Sequence, residues 1–217
     1  MLHNILSIIF PPKCVLCKKI LQEHETDYCH SCRINAPEYT KVKSSISFLA
    51  GWTTVWYYID NVRSSILRYK FGNRRSYAAA YGRSLSMKVQ QDLPEDIDFI
   101  TWIPVSRSRR FKRGYDQVEL LGIEMAKELS MPLKSVLKKI RNTPPQSTMK
   151  NAAQRKANVL GAYIVTDRAI VAGSRILLLD DVLTTSATAT ECAKTLLLAG
   201  AKDVYFASVA ISPHNKN

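Results

Sequence analysis

The sequence predicts an α/β fold: a mostly parallel sheet with helices on both faces, preceded by a small cysteine-rich module. Three observations carry this. Residues 176–179, Ile-Leu-Leu-Leu, form an unbroken apolar run between Gly173 and the pair Asp180-Asp181, the pattern of a strand buried on both faces. Apolar or β-branched runs recur at residues 53–59, 99–105 and 204–211 with helical patterns between them, the alternation that builds parallel sheets. Two Cys-x2-Cys pairs stand near the N-terminus.

At 217 residues the chain is long enough for one such domain and an appendage. The reading divides it into residues 1–45, an N-terminal helix and cysteine module, and residues 50–212, the sheet domain. Leu2, Ile5, Leu6 and Ile9 share one helical face. Docking onto the chain's own core is their first use, a peripheral membrane contact the second. The stretch 1–10 has no basic n-region and no small-residue cleavage site, and is too short to span a bilayer. A cytoplasmic location is therefore expected, without a transmembrane segment, and with the inner face of the cytoplasmic membrane as a point of peripheral contact.

In the cysteine module, Cys14-x2-Cys17 is followed after 11 residues by Cys29-x2-Cys32. Two such knuckles bring four thiolates tetrahedrally onto one Zn2+, and four protein ligands leave no open position, so the metal is structural. The missing export signal argues against disulfides. His24 and His30 are bystanders beside four cysteines, and Cys192, inside a helical pattern, is expected as a small buried apolar residue.

The body follows in order. After the strand at 53–59, Val62, Ile66 and Leu67 mark an amphipathic helix ending near Gly72, and residues 76–89 mark another. Arg68, Lys70 and Arg74 lie with Tyr69 and Phe71 in a basic and aromatic patch. It suits a nucleic acid strand, and equally a helix end with snorkelling cations. The strand at 99–105 exits at Pro104 into residues 105–117, the most basic loop of the chain. Arg107, Arg109, Arg110 and Arg113 offer forked donors to phosphate oxygens, and Gly114 allows a tight turn into a helix from about Tyr115 to Leu129. Charge concentrates here: the chain carries +13, and residues 107–156, with thirteen basic and four acidic side chains, carry +9 of it. An anionic partner, pyrophosphate or nucleic acid, is implied. Residues 141–161 are broken by Pro144-Pro145 and have weak periodicity, as a long lid or binding loop would. A strand at 162–165 comes next, and 204–211 is expected to close the sheet.

Asp180 and Asp181 fall at the carboxyl end of their strand, where open α/β sheets bind ligands. Thr184-Thr185-Ser186-Ala187-Thr188 then leads into a helix from Ala187 to Ala199, with Gly200 beyond its end. Free N–H groups and hydroxyls at such a helix start cradle a phosphate, and two carboxylates beside it accept from ribose hydroxyls. Ser and Thr also serve as ordinary N-caps. Neither a Walker A element nor Gly-x-Gly-x-x-Gly occurs.

The run Leu179-Asp-Asp-Val-Leu-Thr-Thr-Ser-Ala-Thr188 resembles the phosphoribosyl-pyrophosphate motif of type I phosphoribosyltransferases. With the cysteine module, Lys70-Phe71-Gly72, the Arg113-Gly114 loop and the 141–161 segment, the chain is identified as a member of the ComF family of natural competence. The resemblance implies a type I phosphoribosyltransferase-like fold that binds phosphoribosyl pyrophosphate with Mg2+. Asp180, Asp181, Thr184, Thr185, Ser186, Ala187 and Thr188 would hold the sugar phosphate; Val105, Ser106, Arg107 and Arg113 the pyrophosphate. A hood would carry Arg141, Gln146, Arg155 and Asn158. Arg109, Arg110 and Lys112, with Arg68, Lys70 and Arg74, are candidate DNA contacts. Single-stranded DNA and other competence proteins are the implied partners. Two positions depart from the family pattern: Asp116 where Asn is usual, and Ser186 where the phosphate loop has Gly. Two functions stay open. One is a phosphoribosyltransferase with an unread acceptor; the other is a non-catalytic DNA-binding or adaptor protein that keeps the pocket as sensor or scaffold.

Overall fold

The computed structural model describes residues 11–40, 45–143 and 152–213; the apolar face of residues 1–10 and the hood position Gln146 lie outside them. In chain order the elements are α1 (His30–Asn35), β1 (Gly51–Tyr57), α2 (Asp60–Phe71), α3 (Tyr77–Asp92), β2 (Phe99–Trp102), α4 (Arg107–Arg113) and α5 (Gln117–Glu128). There follow β3 (Leu137–Lys139), α6 (Ala152–Val159), β4 (Tyr163–Val165), α7 (Arg168–Val171), β5 (Arg175–Leu183), α8 (Ala187–Leu198) and β6 (Asp203–Ile211).

The main sheet runs β1-β6-β5-β2, and every pair in it is parallel. Strand β5 is buried from both sides. Leu177 and Leu179 join Val62, Ile66, Tyr69, Leu121 and Met125 on the face covered by α2, α3 and α5. Ile176 and Leu178 join Cys192, Ala193 and Leu196 of α8 on the other. Each such side chain contributes about 2 kcal/mol by leaving water, and β5 supplies four in succession. Cys192 is fully buried among them, as an apolar residue.

Several boundaries differ from expectation. Strand β6 does not close the sheet: it lies inside, between β1 and β5, and buries side chains on both faces. Strand β2 stops at Trp102, although Ile103 N–H still donates to Leu179 O at 2.9 Å. Pro104 has no N–H with which to continue the ladder. Strand β5 runs beyond Leu179, and β6 carries it on, with Asp180 opposite Ser208 and Leu183 opposite Ile211. The two carboxylates thus lie within a strand whose other neighbour has already ended. That leaves a cleft beside them.

The basic stretch 107–113, expected as loop, is the helix α4. It has no buried residue, so no apolar face announced it. Gly114, at φ +75°, ends it in the left-handed turn that glycine favours. The strand at 163–165 pairs antiparallel with β3 in a separate two-stranded sheet, and the hood segment contains a helix, α6.

The cysteine module is fastened to α2 and α3. Ser65 Oγ and Arg68 Nη2 donate to Val15 O at 2.6 and 3.0 Å, and Arg68 also reaches Leu16 O at 2.6 Å. Tyr28 OH bonds Ala80 O and Ser84 Oγ, both at 3.0 Å, with its ring edge-on to Trp56.

Candidate functional site

A cavity of about 910 Å³ opens beyond the carboxyl ends of β1, β2 and β5, and its wall includes Tyr58, Pro104, Val105, Asp180, Asp181, Thr184 and Thr188. Its position follows from the sheet: β2 ends early, β5 continues, and the chain turns into α8 beside the gap.

The two carboxylates do different things. Asp181, nearly buried, is held on both oxygens: Lys70 Nζ lies 2.7 Å from Oδ1 and Gln117 Nε2 donates to Oδ2 at 2.9 Å. Gln117 in turn accepts from Arg113 Nη1 at 2.7 Å, and the Arg113 guanidinium stacks over Phe71 at 4.8 Å. Asp181 therefore ties α2, α4 and α5 to the central strand. Asp180 accepts only the N–H of Asp181, at 2.8 Å, among the described residues, leaving its second oxygen for the cavity. Burial, followed by the neighbouring Asp181 charge, raises its pKa well above the carboxylate range, against the opposing pull of Lys70.

The Thr184–Thr188 turn enters α8 through Ser186, whose φ of +55° and ψ of −11° are left-handed. The backbone there takes the conformation for which glycine is suited, and serine adopts it at a steric cost of about 1–2 kcal/mol. Ser186 Oγ turns back onto Thr185 O at 2.6 Å and makes no capping bond. Helix geometry leaves the first N–H groups of α8 without acceptors inside the helix, and at that end Thr184 and Thr188 line the cavity.

Asp116 explains how the basic segment is aimed. It is 2% exposed and accepts three backbone N–H groups: Val105 at 3.0 Å, Val118 at 3.0 Å and Glu119 at 3.3 Å. One carboxylate caps α5 and pins the strand exit to it. Burial outweighs these donors and raises its pKa.

Of the pyrophosphate candidates, Val105 and Arg113 line the cavity, Ser106 is buried with its Oγ 3.1 Å from Ser108 Oγ, and Arg107 is exposed outside the wall. Of the candidate DNA contacts, Arg109, Lys112 and Lys70 line the cavity, Arg68 is engaged with the cysteine module, and Arg110 pairs with Glu119 at 3.0 Å. Arg74 is exposed. In the hood, Arg141 Nη1 donates to Leu160 O at 2.6 Å, drawing the ends of the segment together, while Thr143 and Val159 reach the wall. Arg155 and Asn158 lie on α6 outside it.

Sequence reasoning missed Lys139 and Tyr163, which line the cavity from β3 and β4, and Phe111, 91% exposed on α4. Gln117 closes the basic run 105–117, but its bond to Asp181 spans 64 residues.

The four cysteine sulfurs lie within 4.8 Å of one another, and Cys17 and Cys29 approach to 3.6 Å. A tetrahedral zinc with bonds near 2.3 Å separates its sulfurs by about 3.8 Å, so the cluster fits that ion.

A family model described as phosphoribosyl transferase domain matches residues 119–217. Competence protein F of Haemophilus influenzae is 27% identical over 202 residues, covering 89% of this chain and 82% of that protein. DNA utilization protein YhgH of Escherichia coli is 30% identical over 159 residues, covering 70% and 67%. Competence protein ComFC of Bacillus subtilis is 26% identical over 189 residues, covering 86% and 72%. Among solved structures, glutamine phosphoribosylpyrophosphate amidotransferase from B. subtilis has a TM-score of 0.44 at 20% identity, covering 65% of this chain and 30% of that one.

Proposed function

The chain belongs to the ComF family of competence proteins, with a sheet domain of phosphoribosyltransferase type, and we propose that it binds phosphoribosyl pyrophosphate with Mg2+ in the cavity beside Asp180 and acts in the handling of incoming DNA. The observation that carries this is the convergence, in one cavity, of the Asp180 carboxylate, one oxygen of which has no partner among the described residues, the N-terminal turn of α8, and basic side chains from α4. Asp180 accepts from the ribose hydroxyls, with Asp181 as the buried anchor behind it. Residues 184–188 hold the 5-phosphate, and Val105 and Arg113 face the pyrophosphate, with Ser106 buried behind them; Mg2+ would neutralise its developing charge. Cys14, Cys17, Cys29 and Cys32 hold one structural Zn2+ in a module of their own, set on the 50–212 domain.

A second reading adds single-stranded DNA, favoured by Phe111. An aromatic ring exposed on a helix that also carries Arg107, Arg110 and Lys112 is a stacking platform in a positive field. The protein then meets incoming strands in the cytoplasm, beside other competence proteins. Among the described residues, no helix is long and apolar enough to cross a membrane.

Calorimetry with phosphoribosyl pyrophosphate and Mg2+ tests the first reading: saturable binding by the parent is lost in Asp180→Asn/Asp181→Asn. No binding by a folded, zinc-loaded parent rejects it. For the second, fluorescence anisotropy of labelled oligonucleotides should weaken steeply with salt and weaken further in Phe111→Ala. Salt-independent binding, or an unchanged variant, rejects it.

A further inference from the structure

Besides the exposed Lys112, the cavity holds two partly buried cations that neither the sugar phosphate nor the internal ion pairs account for. Lys70 is neutralised by Asp181, and Arg113 is engaged by Gln117 and Phe71. Arg109, partly buried, makes one hydrogen bond among the described residues, to the neutral carbonyl of Thr143 at 3.0 Å. Lys139 lies with its ammonium 5.1 Å from the centre of the Tyr163 ring, and among the described residues it has no hydrogen-bond acceptor or ion pair. Half-buried cations without a carboxylate are costly until an anion reaches them. Both lower their pKa in consequence: Arg109 through burial and then Arg113; Lys139, to about 8, through burial and then Arg109.

These cations belong to a wall built from α4, β3 and β4, with β4 packed against α8. Next to them the wall is apolar, with Ile103, Val159 and Tyr163. The volume, near the top of the ~300–1,000 Å³ range for small-molecule sites, accommodates a second ligand beside a sugar phosphate. A forked guanidinium and an ammonium beside an apolar strip suit a small ring bearing a carboxylate. Pyrophosphate has no apolar part to place there.

We propose that Lys139 and Arg109 form the acceptor subsite of this cavity and that the acceptor is a small aromatic carboxylate. The inference rests on the sugar-phosphate reading above. In the transfer, an N–H nitrogen of the acceptor bonds to C1 of the ribose as the C1–O bond to pyrophosphate breaks. The electron pair of that bond and the displaced proton leave with pyrophosphate.

Nicotinate and nicotinamide serve as probes, having nearly the same shape and differing in charge. Calorimetry is run on the zinc-loaded full chain, alone and saturated with ribose 5-phosphate. Nicotinate should bind at least tenfold tighter than nicotinamide. Lys139→Met should remove that preference and Lys139→Arg retain it, with ribose 5-phosphate affinity unchanged in both. Nicotinate affinity should also fall as pH rises through about 8, where Lys139 loses its charge; Arg109, Asp180, Tyr163 and Cys192 are the other ionisable groups that act on it. Equal binding of the two probes, binding of neither, or Lys139→Met weakening Mg2+-pyrophosphate instead of nicotinate would overturn the assignment. If ribose 5-phosphate fails to bind while the nicotinate preference persists in the chain alone, the sugar-phosphate reading falls and the anion subsite stands.

Discussion

Replacing Asp116 with alanine removes one carboxylate and strands three backbone donors. The Val118 and Glu119 N–H groups lose their cap, at about 1 kcal/mol. The partly buried Val105 N–H loses its acceptor, at about 1–3 kcal/mol. Some of this is returned, because a charge whose burial outweighs its hydrogen bonds no longer has to be buried. The net loss is about 2–3 kcal/mol, and at this chain length each kcal/mol lowers the melting midpoint by about 2–4 °C. Asp116→Ala should therefore melt roughly 5–10 °C below the parent. Asp116→Asn keeps one acceptor and sheds the charge, so its loss should be about 1 kcal/mol. Scanning calorimetry of zinc-loaded protein reads both. An alanine variant within about 1 °C of the parent, or an asparagine variant as unstable as alanine, would refute the idea that this carboxylate pins the strand exit to α5.

Three further outcomes are expected. Ser186→Gly relieves about 1–2 kcal/mol of left-handed strain and loses up to ~1 to unfolded-chain entropy, so its midpoint should stay level or rise slightly while phosphate affinity is kept; a marked fall in either, read by thermal melting and ribose 5-phosphate titration, contradicts this. Because the Asp180 pKa is raised on folding, charging it opposes stability as pH climbs from the ordinary carboxylate range to about 8. Asp180→Asn should melt higher than the parent at pH 8 and show no gain at pH 4, and an equal gain at both would count against it. Chelation or Cys32→Ser should release one zinc per chain and loosen the Tyr28–Trp56 contact, read by metal analysis and tryptophan fluorescence; an unchanged melt after complete metal removal would contradict a structural role.

The most legible parts of this chain were those whose information is local. The apolar run at 176–179, its two carboxylates and the hydroxyl-rich turn lie within thirteen residues, and the structure assembles them as one strand, one turn and one helix. The cysteine pairs likewise carry their spacing with them. What failed was non-local or lacked an apolar signal. Helix α4 buries nothing, so periodicity could not reveal it. Strand β3 is three residues long and exists because it pairs with β4, whose own strand at 163–165 was foreseen. The interior place of β6 depends on crossover connections, which leave no mark in its own sequence. Lys70, read as a DNA contact, meets Asp181 only after α2 folds across the strand ends.

Phosphorus NMR of phosphoribosyl pyrophosphate titrated with Mg2+-loaded protein tests the central claim most directly, because it reports the 5-phosphate and the two pyrophosphate phosphorus atoms separately. All three resonances should shift or broaden saturably with the parent, and Thr188→Ala should diminish the effect on the 5-phosphate first. A 5-phosphate resonance that stays unperturbed while the pyrophosphate signals move would mean that the turn into α8 does not hold the sugar phosphate, and the account of this cavity would be wrong.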